Sequence, residues 1–163
     1  MELIVAVGLF ALIMTLASGA YLMMIGLNRQ VQGIATGINN LSFALETMTR
    51  DIRTGTNYNC GGLGNCPSGA NSFSFTNANG SAVTYNLSGT TLQKTVSGAA
   101  SALTDPSVTI SSLTFYAFGT ERVPSDYQQS RVTIIVSGTV TTGAGKTEPF
   151  SIETGATMHS SDL

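Results

Sequence analysis

The sequence predicts an α+β chain: one N-terminal helix of about 50 residues, laid by its C-terminal half on an antiparallel β-sheet. Three observations predict it. Residues 3–27 carry no charge, and no proline occurs before Pro67. Apolar residues then recur at three- and four-residue steps as far as Ile52. Beyond residue 71 the periodicity changes to two, with Asn-Gly and Ser-Gly steps between the alternating runs.

The first segment, residues 1–27, is apolar or small apart from Glu2. Twenty-five uncharged residues at 1.5 Å each reach about 38 Å, more than the hydrocarbon layer of a bilayer. A cleaved secretory signal is the rival reading, but no basic residue precedes the core and the core is too long. In the second segment, residues 28–53, Val31, Ile34, Ile38, Leu41, Leu45, Met48 and Ile52 form a stripe of heptad spacing. Such a stripe packs on a sheet or on another helix. Arg50 and Arg53 suit the negative end of a helix dipole, and Gly55 suits its termination.

The remainder, residues 54–163, reads as a β-rich head. Residues 54–71 contain Gly55, Gly61, Gly62, Gly64, Pro67 and Gly69 and are expected to form a loop. Cys60 and Cys66 fall inside it. Two cysteines without companion ligands do not make a zinc site, and their spacing is wrong for a CxxC redox motif. A disulfide closing a small loop fits better and implies an oxidising, extracytoplasmic compartment; two free thiols are the alternative. Residues 72–76, 82–87 and 91–96 alternate as three strands of a meander, with Asn79-Gly80 and Ser88-Gly89 as turns. A softer stretch, 97–106, leads to a long strand at 108–118 with a slip at Ser111-Ser112. A polar loop at 119–129 contains Pro124. Strands follow at 131–140 and 149–157, joined by a turn at 142–146, and Pro149 suits a strand start or edge.

Composition narrows the function classes. Net charge is -2 and only 10% of residues are charged, so no basic surface for nucleic acid is evident. His159 is the single histidine, which excludes a metal cluster built on several histidines. Glu121, Asp126, Glu148 and Glu153 are scattered rather than spaced as a calcium loop. No enzyme, metal or cofactor is expected. Asn79-Gly80-Ser81 and Asn86-Leu87-Ser88 match the N-glycosylation pattern, although Asn79 is more simply a turn residue.

These N-terminal features together resemble a known family. An acid at the head of an uninterrupted apolar helix, then its amphipathic continuation, then a loop and an antiparallel sheet, is similar to a processed type IV pilin or a type II secretion pseudopilin. The resemblance covers about residues 1–53. More weakly, residues 150–158 resemble the last strand of J-type minor pseudopilins. The family acid usually stands a few residues further from the mature N-terminus, so a few residues are expected to precede Met1.

The resemblance implies a pilin-like fold and a structural subunit that forms a homopolymer. Glu2 would form a salt bridge with the N-terminal amine of a neighbouring subunit and set its height. The alternative is that Glu2 sits at the membrane surface, at the positive end of the helix dipole. Leu3, Ile4, Val7, Leu9, Phe10, Ile13, Leu16 and Tyr21 would pack in the filament core, and the helix would loosen near Thr15, Ser18 and Gly19. Expected partners are further copies of the chain, the inner membrane before assembly, a prepilin peptidase, an assembly ATPase, a platform protein and minor pilins. The expected location is the inner membrane and then the cell surface. Two rivals stand beside this reading: a minor pseudopilin at a pseudopilus tip, and a monomeric membrane-anchored binding module.

Overall fold

In the computed structural model, residues 2–62, 64–120, 128–142 and 145–158 are described. Helix α1 (Glu2–Arg53) is unbroken over 52 residues, about 78 Å. It is the one described helix long and apolar enough to cross a membrane. Its end is well satisfied. Gly55 donates its N–H to the Ile52 carbonyl, and the Tyr58 hydroxyl donates to the Ile52 and Gly55 carbonyls. These bonds occupy acceptors that a helix terminus leaves without partners.

The β region forms two antiparallel sheets rather than one. The first has the order β1 (Thr56–Cys60), β3 (Ser72–Thr76), β4 (Ala82–Ser88), β5 (Thr91–Val96) and β6 (Ala99–Ala102). The second runs β2 (Cys66–Ala70), β7 (Val108–Phe118), β8 (Arg131–Thr142) and β9 (Lys146–Thr157). The glycine-rich stretch expected as a loop therefore contains β1 and β2. Both are edge strands, where Pro67 and Gly69 cost little because one side of the strand needs no ladder. The disulfide between Cys60 and Cys66 joins the edge of one sheet to the edge of the other. The softer stretch also holds a strand, β6, reached from β5 by the two-residue turn Ser97-Gly98. The slip expected at Ser111-Ser112 is present as a register shift between Ile110 and Ser112.

Both sheet one and the helix cover the same face of sheet two. Phe115 of β7 stacks on Phe73 of β3, with centroids 5.5 Å apart. On the paired strand, Val132, Ile134, Val136 and Val140 point to that face and are buried. The helix crosses above β8 and β9. The opposite face carries Thr114, Tyr116, Thr133, Ser137 and Thr139, all only partly covered. One apolar face and one wetted face account for the alternation along β7 and β8.

The docked stripe differs from the one expected. Its buried members are Gly37, Leu41, Ala44, Leu45, Met48 and Ile52. Val31 and Ile38 instead stand 62% and 42% exposed. The cause is helical geometry. A seven-residue repeat drifts about 20° per heptad on a straight helix. Followed back from Ile52, the line through Leu45, Ile38 and Val31 rotates off the sheet, and Ala44 and Gly37 rotate onto it.

Two glycines are fixed by close approach. A Cβ on Gly138 would lie 2.2 Å from the Thr109 carbonyl oxygen, at the β7 bulge. A Cβ on Gly37 would lie 2.2 Å from Val140 Cγ1 and 3.2 Å from its Cβ. Val140 is buried and short, so it has no room to turn aside. Gly37→Ala therefore sets helix propensity, worth about 1 kcal/mol in favour of alanine, against overpacking of about 1–3 kcal/mol. We expect a net loss, read as a lower urea midpoint of the full chain in detergent; a gain would show that the helix is not held this closely to β8.

Candidate assembly site

Two halves of one helix meet opposite environments. Every described residue from Glu2 to Met24 is exposed. The docked half ties to the head by apolar packing and by hydrogen bonds of Gln30, Asn40 and Asp51. Gln30 Nε2 donates to Glu148 Oε1 at 3.2 Å, and Asn40 Oδ1 accepts from the Asp105 amide at 3.0 Å. At the far end Asp51 Oδ2 accepts from the Tyr85 hydroxyl at 2.7 Å and from Lys94 Nζ.

That last cluster was not anticipated from sequence. Lys94 lies in phase with Leu92 and Val96, on the inward face of β5, and is directly paired with Tyr85. A lysine in the apolar phase of a strand needs a buried-side partner, a signal for an acid nearby that does not by itself single out Asp51. The pair is only about a quarter exposed. It fixes the helix end to sheet one while the apolar stripe holds it to sheet two.

The candidate filament-core residues Leu3, Ile4, Val7, Leu9, Phe10, Ile13, Leu16 and Tyr21 all stand on the free half, more than half exposed. Glu2 occupies the first turn, and among the described residues it has no ion-pair partner. Thr15, Ser18 and Gly19 lie within continuous α-helix. The Thr15 hydroxyl donates to the Ala11 and Leu12 carbonyls, and the Ser18 hydroxyl to that of Met14. Such back-bonding competes with the helical ladder and favours bending. Gly8, Gly19 and Gly26 have open space where a side chain would stand.

The remaining candidates separate cleanly. Asn79 is exposed in the turn 77–81, which the Asn77 side chain closes by accepting from the Asn79 and Ser81 amides. Asn86 lies within β4 between β3 and β5 and is partly covered. Glu121, Asp126, His159, most of the loop 119–129 and part of the turn 142–146 lie outside the described residues. Among the described residues no three His, Cys, Asp or Glu side chains gather as a metal site. A groove of about 680 Å³ runs along the helix end, lined by Glu46, Arg50, Arg53, Gln129, Thr157 and Met158 among others.

Burial of Tyr85, then its hydrogen bond to Asp51 and the Asp51 charge, push its phenol above the ordinary 10.0. The folded chain thus keeps this proton where the unfolded chain loses it. Its contribution is fully present below pH 10 and is lost as pH rises beyond. Tyr85→Phe should lower stability at neutral pH by about 1 kcal/mol and flatten its fall above pH 10. Urea midpoints in detergent from pH 8 to 11.5 check both.

The chain has one long apolar N-terminal helix packed on antiparallel sheet, with a disulfide in the head, a shape consistent with pilin-like proteins. No family model, no curated protein and no solved structure matches it.

Proposed function

We propose that this protein is a structural subunit that polymerises through its apolar N-terminal helix into an extracellular filament of the type IV pilus kind. One observation carries the reading. Half of a continuous helix is exposed and apolar on every side, while the other half is docked and carries a folded head. A membrane anchor alone accounts for the apolar length. A bundle of copies would in addition use the acid that heads the segment and the glycines left open along it. The acid needs a partner in an apolar setting, and small residues let helices approach closely.

The subunit is held in the inner membrane before assembly, with its head outside, where the disulfide persists. On polymerisation the free halves bundle as a core and the heads form the coat. Glu2 accepts from the N-terminal amine of a neighbour, and a copy added at another height leaves both charges unpaired. The prepilin peptidase, assembly ATPase, platform protein and minor pilins belong to this reading by resemblance. No catalytic group is assigned.

Glu2→Gln keeps shape and removes charge. It should cut filament yield at least about tenfold while leaving the membrane-bound amount of the chain unchanged. Electron microscopy of sheared fractions and blotting of membranes measure the two. Normal yield would overturn the role of Glu2, and no filaments from the unaltered chain would overturn polymerisation. Within filaments, residues 15–22 are expected to lose some helical hydrogen bonds. A filament map with an unbroken ladder from Thr15 to Leu22 would rule that out.

A further inference from the structure

The docked half of the helix has an outer face that the head leaves uncovered. Leu41 and Leu45 point into the core, and Phe43, two residues from each, is turned about 160° from both. Phe43 is 66% exposed. It lies on a line of seven-residue steps with Arg29, Thr36 and Arg50, all exposed. Phe43 is the one aromatic side chain of residues 28–53, and it stands among Arg, Thr, Gln and Asn on a wetted face.

The free half carries a line of the same spacing: Glu2, Leu9, Leu16 and Met23, again all exposed. The two lines correspond member for member at an offset of 27 residues, about 40 Å. At that offset Glu2 meets Arg29, Leu9 meets Thr36, and Leu16 meets Phe43. Glu2 and Arg29 have no ion-pair partner among the described residues. The helix from Glu2 to Leu16, ahead of most of the segment expected to loosen, then covers residues 29–43. Both lines drift in the same sense, so two such helices pack at a shallow left-handed angle.

We propose that the outer face of the docked half is the seat of a second copy's apolar half, running parallel and displaced by 27 residues. The inference rests on the polymerisation reading and names the surface that receives each added subunit. The Glu2 carboxylate accepts from the Arg29 guanidinium of one neighbour. Its second oxygen is left for the terminal amine of another. Leu16 covers Phe43, and Thr36 admits Leu9.

An antiparallel arrangement would pair Glu2 with Arg50 and Leu9 with Phe43. That contact is isologous: it closes two chains into a dimer and cannot propagate. It also places the two heads at opposite ends, which anchoring in one membrane forbids. The parallel offset repeats without closing, as a filament requires.

Paired cysteines test the register in sheared filaments of the full chain. Leu16→Cys with Phe43→Cys should give a ladder of disulfide-linked oligomers on a non-reducing gel, because each copy bonds to two others. Leu9→Cys with Thr36→Cys, which leaves Phe43 in place, should give the same ladder and serves where the first pair does not assemble. Leu9→Cys with Phe43→Cys should give none. Dimers from that third pair, or filaments in which neither of the first two pairs links, overturn the proposed seat while leaving polymerisation standing. Absence of filaments from the unaltered chain overturns both. Arg29→Glu should lower filament yield at least about tenfold, and adding Glu2→Arg should restore most of it. No restoration overturns the Glu2–Arg29 pair.

Discussion

The structure depends on one constraint: fifteen large apolar side chains between Leu3 and Leu27 are exposed in the isolated chain. Full burial of such a side chain is worth about 1.5–3 kcal/mol. Even discounted for partial exposure, the sum is on the order of 20 kcal/mol, above the usual stability of a whole domain. Water is therefore not the medium in which this half of the helix rests. A bilayer or a bundle of like helices satisfies it equally, so the proposed assembly asks for no second apolar surface on this segment.

The rest of the fold keeps that segment attached to something rigid. A helix with half its length unsupported transmits load at its docked end, where three different interactions converge. Apolar packing against β8 and β9 holds one side, Asp51 reaches Tyr85 and Lys94 of the other sheet, and Tyr58 closes the terminal carbonyls. The two sheets are in turn linked at their edges by the disulfide between Cys60 and Cys66. Removing any one of these leaves the helix end with freedom relative to part of the head. Gly37 sets the closeness of the first contact, and it does so at a position where helix propensity alone would prefer alanine.

Much of the architecture was legible because it is written in short-range periodicity. The helix, its stripe, the meander of β3, β4 and β5, and the bulge beside Ser111 follow from spacing within a few residues. The split into two sheets did not, since it depends on which distant strands pair. β1 and β2 were hidden because glycine and proline signal loops unless a strand is an edge. Val31 and Ile38 were misplaced because the 3.5-residue repeat and the 3.6-residue helix diverge only over several turns. Of the candidate site, Glu2 and its apolar run were legible as composition. The Asp51–Lys94 contact was not, although the in-phase lysine of β5 carried its trace.

Specificity in the proposed assembly has to come from something other than apolar area. In a bilayer, helix–helix contact gains nothing from the hydrophobic effect, because lipid tails are as apolar as leucine. Shape and charge remain. The free half offers open glycine faces at Gly8, Gly19 and Gly26 and one carboxylate. The docked half offers one aromatic side chain between two arginines at seven-residue steps. With so few distinguishing features, a slip of one turn keeps nearly all apolar contact but separates Glu2 from Arg29 by more than 5 Å. The sparse charge of this helix is then what makes its register readable: each additional ion along it would create another offset at which two copies fit.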